Sequence, residues 1–160
     1  MISVLIAVAL AGQAAPVESP PTELPVATYS QNNANAGAKP FKDDRLWRAF
    51  HGRAGVDRIV DDFVDRLIAD KRIMDIFQGQ DIVRLRRTLK EQFCYLLGGG
   101  CNYTGRTMAE AHKNMGLQTA DFNALVEDLQ AAMRKEHVRF FAQNRLLAKL
   151  APMRRNVVER

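Results

Sequence analysis

From Val56 onward, Ile59, Val60, Phe63, Val64, Leu67 and Ile68 recur at three- and four-residue spacing, while Asp57, Arg58, Asp61, Asp62, Asp65 and Arg66 fill the positions between them. A single apolar stripe at helical period predicts an amphipathic helix with that stripe turned inward. A short helix over 44–50 is predicted ahead of it, broken at His51-Gly52-Arg53-Ala54-Gly55. A second long helix is predicted from Asp81, whose carboxylate suits a helix cap. Ile82, Leu85, Leu89, Phe93 and Leu96 line its apolar side, and Arg84, Arg86, Arg87, Lys90 and Glu91 cover much of the rest. Gly98-Gly99-Gly100 ends it, since each glycine in a helix costs about 1 kcal/mol relative to alanine.

Gly105 and Gly116 then leave room for only a short helix around 108–113. A third long helix is predicted after Thr119, with Phe122, Leu125, Val126, Leu129, Ala132 and Met133 on its stripe. The fourth covers roughly 140–158 with Leu146, Leu147, Leu150 and Ala151 inward, and Pro152 disturbs it. No stretch alternates usefully at period two. The predicted class is all-α, with four main helices packed as two long antiparallel pairs.

Composition divides the 160 residues unevenly. Residues 1–40 carry only Glu18, Glu23 and Lys39 as charges, whereas 41–160 hold 22 Lys/Arg and 16 Asp/Glu, a net charge of +6. The apolar run Ile2 to Ala11, followed by Gly12-Gln13-Ala14, is about half as long as a membrane-spanning helix and has the form of an export signal over 1–15. No Lys or Arg precedes that run, so the positive end of such a signal is missing. A periplasmic or exported location is expected, with a cytoplasmic one as the alternative, and no stable membrane span. Residues 16–40, rich in Pro, Ser, Asn and Ala, carry too little apolar surface to offset ordering entropy and are expected to be a flexible tether. The folded domain is then 41–160. Export would allow Cys94 and Cys101 to pair, but their spacing does not decide it.

Reactive constellations are scarce. The chain has no H-E-x-x-H, G-x-S-x-G or phosphate-loop motif, and three histidines with two cysteines do not make a zinc module. Asp61, Asp62 and Asp65 read as a solvated helix face. His51 and His137 stand at helix ends with no chemistry assigned. His112 differs, because it follows a glycine-rich connection in a short helix with Met108 and Met115 nearby. A neutral imidazole is a good iron ligand, and the Met108 carbonyl one turn back is in range to fix its other nitrogen. Periodicity alone leaves two readings of His112 open, an ordinary partly buried histidine and a haem ligand.

The ordered set Leu46-Trp47-Arg48-Ala49-Phe50-His51-Gly52-Arg53-Ala54-Gly55-Val56, Val60-Asp61-Asp62-Phe63 and Ile76-Phe77-Gln78-Gly79 resembles the group I truncated haemoglobins. So do Leu97-Gly98-Gly99, Tyr103-Thr104-Gly105-Arg106-Thr107-Met108, Ala111-His112, Leu117-Gln118-Thr119, Phe122 and Leu150-Ala151-Pro152-Met153-Arg154, over about residues 44–158. The resemblance implies a two-over-two helical sandwich around one haem b, with His112 as proximal ligand. It implies that Phe77 packs on the porphyrin and that Tyr103 helps place the ligand-bearing helix. His51 stands where the pattern has a glycine. The distal side departs further. The family's Phe-Tyr pair, whose hydroxyl bonds the bound gas, is Phe63-Val64 here, the glutamine commonly opposite is Leu89, and Leu85 lies one turn before it. With Phe93, these residues predict an apolar pocket. Thr88 and Gln92 are donors whose helical phase turns them toward solvent.

The implied function is reversible binding of a diatomic gas (oxygen, nitric oxide or carbon monoxide) by a monomer or weak dimer, with an unidentified reductase or electron donor and no nucleic acid. Nitric oxide dioxygenation is disfavoured by the missing tyrosine. Arg87, Thr88, Lys113 and Tyr103 are the candidates for holding haem propionates. The alternative is a basic, haem-free helical module for nucleic acid or an acidic partner. It rests on an isoelectric point near 9.5 and the Arg84, Arg86, Arg87, Lys90 cluster.

Overall fold

The computed structural model describes residues 22–159, so the expected export signal and the first residues of the expected tether lie outside the described residues. Among the described residues seven α-helices follow in chain order: α1 (Arg45–Ala49), α2 (Gly52–Ala69), α3 (Ile82–Leu96), α4 (Met108–Ala111), α5 (Thr119–Lys135), α6 (Phe140–Leu150) and α7 (Arg154–Val157). Short 3-10 turns occupy Asn33–Ala36, Met74–Phe77 and Ala151–Met153, and no strand occurs among the described residues. No described helix is long and apolar enough to cross a membrane.

The stripe of α2 forms the centre of the core: Val56, Ile59, Val60, Phe63, Val64 and Leu67 are buried against α3 and α5. Burying each such side chain contributes about 1.5–3 kcal/mol. Ile68, expected to continue the stripe, is 41% exposed near the end of α2. The helix also starts earlier than its stripe predicts. His51 adopts the left-handed conformation (φ 62°) and turns the chain, so Gly52–Gly55 form the first turn of α2 rather than a break before it. Gly55 is required there, because a Cβ would overlap the Phe50 carbonyl.

Ion pairs mark the antiparallel register. Asp61 meets Lys90 at 2.9 Å and Arg86 at 3.4 Å, and Asp65 also pairs with Arg86, joining α2 to α3. Arg58 reaches Glu136 at 3.0 Å, Asp62 pairs with Lys135, and Arg72 reaches Glu127 at 2.6 Å, joining α2 and its following turn to α5. The carboxylates expected to be merely solvated are therefore cross-linking groups. Exposed pairs of this kind contribute about 0–1 kcal/mol each, so they fix register more than stability.

The Asp81 carboxylate caps α3 by accepting from the Arg84 N–H at 2.9 Å. Pro152 interrupts the last helix, with a 3-10 turn between α6 and α7. That turn exposes Ala151 and buries Met153, reversing the inward place expected for Ala151.

The largest departure lies between Thr22 and Pro40. Instead of a free tether, this segment is a strap bonded across α3 and the α3–α4 connection. Glu23 pairs with Arg84 and Arg87, the Leu24 N–H donates to Asp81 at 2.7 Å, and the Tyr29 hydroxyl donates to the Thr104 carbonyl at 2.8 Å. Ala36 is fully buried and its carbonyl accepts from the Gln92 amide at 2.9 Å. Composition failed because polar side chains and backbone groups, not apolar burial, hold most of these residues. Cys94 and Cys101 form a disulfide with Cα atoms 5.7 Å apart, tying the end of α3 to the same connection.

Candidate haem site

His112 closes α4. The Thr107 hydroxyl accepts from the Glu110 N–H and the Glu110 carboxylate accepts from the Thr107 N–H, both at 3.2 Å, so a reciprocal capping box orders this short helix. The ring Nδ1 of His112 lies 2.7 Å from the Met108 carbonyl. A carbonyl can only accept, so Nδ1 carries the proton and Nε2 keeps its lone pair free. Burial pushes the His112 pKa below its ordinary value, and the Met108 bond opposes that only in part. The imidazole is therefore neutral at pH 7, the form that ligates iron.

Tyr103 is buried, and its hydroxyl donates to the Arg106 carbonyl at 3.0 Å. Its N–H donates to Asn33 on the strap at 2.7 Å. Burial, aided by Tyr29 and Glu91, pushes its phenol up to about 12, so it remains a neutral donor. Gly105 is needed beside it, since any Cβ would overlap the Tyr103 hydroxyl. This tyrosine shapes the chain that leads into α4.

Phe63, Val64 and Phe93 are buried in the core cluster, and Phe77, Leu85 and Leu89 pack against it while staying half-buried. Tyr103 and His112 lie outside that cluster, on the α3–α4 side. Ile82, Phe122 and Val126 are also half-buried. Apolar side chains left partly uncovered on α3, α5 and the Met74–Phe77 turn suit a flat apolar macrocycle, and a neutral imidazole with a free Nε2 suits its iron. The residues present fit haem.

Val64, Leu85 and Leu89 offer no hydrogen-bond donor, and the two neighbouring donors are engaged elsewhere. The Thr88 hydroxyl donates to the Arg84 carbonyl at 2.9 Å. Gln92, expected to face solvent, is buried with its amide on the Ala36 carbonyl. Its helical phase did turn it away from the apolar side, but the strap covers that face. Among the propionate candidates, Arg87 is held by Glu23 and Glu91, and Thr88 and Tyr103 are engaged as described. Lys113 is exposed and has no ion pair among the described residues.

An all-helical chain with a neutral, oriented histidine on α4 and half-buried apolar side chains on α3, α5 and the Met74–Phe77 turn has the side chains of a haem protein of the globin class. The family model of the bacterial-like globins matches residues 45–159, and the chain belongs to that family. A group 1 truncated hemoglobin from Synechocystis is 37% identical over 94 residues, covering 56% of this chain and 76% of that protein. One from Tetrahymena thermophila is 31% identical over 94 residues, covering 59% and 78%. The crystal structure of the Tetrahymena pyriformis truncated hemoglobin in its Fe(III) form superposes with a TM-score of 0.69 at 26% identity, covering 72% of this chain and 98% of that one. A 2/2 hemoglobin from Synechococcus, solved in the cyanomet state with covalently attached heme, gives a TM-score of 0.66 at the same identity and coverage. The fold is the two-over-two helical sandwich of truncated hemoglobins, and haem-based gas binding is the function.

Sequence reasoning missed the strap residues Glu23, Tyr29, Asn33 and Ala36, which brace α3 and the approach to α4. Only Glu23, one of two acids in a nearly uncharged stretch, offered a hint.

Proposed function

We propose that this chain holds haem b through His112 Nε2 and binds oxygen, nitric oxide or carbon monoxide reversibly in an apolar distal pocket. When bound, haem supplies the iron position at which the gas is taken up. The chain's own residues do the rest. The Met108 carbonyl aims the imidazole, Phe77 covers the macrocycle, and Phe63, Val64, Leu85, Leu89 and Phe93 keep water away. Lys113 is the uncommitted cation for a propionate. Reversible oxygen binding needs ferrous iron, so an electron donor or reductase completes the reading.

The observation that carries it is the 2.7 Å contact from His112 Nδ1 to the Met108 carbonyl; the apolar character of Val64, Leu85 and Leu89 supports the rest of the reading. Losing a distal hydrogen bond worth about 0.5–1.5 kcal/mol, or up to about 3 for a strongly polarised ligand, weakens oxygen binding by about 2–150-fold. Carbon monoxide gains less from such a bond. Stopped-flow kinetics on the ferrous protein should therefore show fast oxygen release and weak discrimination in favour of oxygen over carbon monoxide. Oxygen release as slow as in tyrosine-bearing relatives contradicts the apolar pocket. The haem-free basic module gains nothing from the geometry: Arg84, Arg86, Arg87 and Lys90 are all ion-paired.

A further inference from the structure

Phe140 and Phe141 are 73% and 72% exposed, more than any other large apolar residue described. Their position is rigidly set. The Val138 N–H donates to the Met133 carbonyl and the His137 N–H to the Arg134 carbonyl, both at 3.0 Å, with His137 in the left-handed conformation at φ 60°. These two bonds form a Schellman motif, the usual rigid stop of a helix. Val138, Ala142, Gln143 and Leu146 are buried, and the Gln143 amide donates to the Val138 carbonyl at 2.7 Å, which locks the start of α6 with that face inward. Phe140 and Phe141 thus stand on the opposite side of the helix.

The surroundings are strongly cationic. Residues 134–158 hold seven Lys/Arg and one carboxylate, Glu136. Glu136 is already engaged by Arg58 and His51. No carboxylate stands in the first turn of α6. Arg134, Arg139 and Arg145 are exposed and have no ion pair among the described residues.

We propose that this α5–α6 corner is a docking surface for an anionic lipid bilayer, with Phe140 and Phe141 entering the interface and Arg134, Arg139 and Arg145 meeting acidic headgroups. Neighbouring residues on a helix diverge by about 100°, so the two rings do not share one narrow protein groove, whereas both can immerse in a soft interface. A second copy of the chain would bring the same cations face to face, and like charges oppose that pairing. Aromatic insertion and basic attraction are the two signals that together make peripheral membrane binding stable.

The test is co-sedimentation of the full chain with phosphatidylcholine vesicles, with and without phosphatidylserine, with pelleted protein measured as a gel band so that the readout is independent of haem. The chain pellets with phosphatidylserine vesicles only, and added salt weakens it. The double variant F140S/F141S lowers the partition coefficient by about tenfold or more, and R139Q lowers it by about fivefold. Circular dichroism of both variants stays native, because these side chains are exposed. The proposal is overturned if the unaltered chain stays in the supernatant with both vesicles, or if F140S/F141S pellets as well as the parent. Concentration-dependent self-association that the double variant abolishes, without vesicle binding, also overturns it and makes the corner a self-interface.

Discussion

The two sides of the proposed haem site are built by opposite means. On the His112 side the groups that set its position are polar and engaged: the imidazole on the Met108 carbonyl, the Tyr103 hydroxyl on the Arg106 carbonyl, and the Tyr103 N–H on Asn33. On the Val64 side the positioning is done by apolar packing, and the nearby donors Thr88 and Gln92 are turned to carbonyls of the helix and the strap. The first arrangement fixes a direction, which a metal ligand requires. The second fixes a shape and, in the proposed site, would leave bound gas without a polar partner. In the proposed site, orientation of the iron ligand and stabilisation of the gas are thus separable.

Restoring a donor on the apolar side should produce the largest change. Val64→Tyr is expected to slow oxygen dissociation by about 2–150-fold while changing carbon monoxide release much less. Equal slowing of both gases would point to a steric barrier instead. On the polar side, Gly105→Ala forces a Cβ against the Tyr103 hydroxyl and is expected to cost about 1–3 kcal/mol, read as a lower melting temperature. Unchanged stability would show that Tyr103 is not braced against this loop.

The smallest effect concerns the strap and pH. The Arg87 guanidinium, with help from Arg84, holds the Glu23 carboxyl below its ordinary value near 4.5. A lowered folded-state value stabilises the strap above that pH and releases it as pH falls through the lowered value. The protection of residues 22–37 against hydrogen exchange, corrected for the intrinsic rate, should therefore fall at acid pH before that of α2 and α5, and Glu23→Gln should lower it at neutral pH. Protection of the strap that outlasts the core in acid would contradict this anchoring.

Where apolar burial decides the structure, the sequence was readable. The spacing from Val56 to Leu67 predicted α2, Asp81 its cap on α3, and Pro152 the interruption after α6. Long-range polar contacts were not readable. Glu23 meets Arg84 and Arg87 some sixty positions away, and no local pattern encodes that meeting. Gln92 escapes sequence reading for the same reason, because composition predicts a free tether where the strap covers it. His51 shows an intermediate case. Its departure from a glycine pattern was visible, but its left-handed backbone and its 3.2 Å contact with Glu136 were not. Of the site, the direction of His112 was anticipated from one helical turn, whereas the diversion of Thr88 and Gln92 required the folded chain.

The visible spectrum of the reduced protein, compared with that of His112→Gly, tests the central claim most directly. The account predicts histidine-ligated ferrous haem in the parent, loss of that axial signature in the variant, and its return when free imidazole is added. A variant spectrum that superimposes on the parent without imidazole would contradict it.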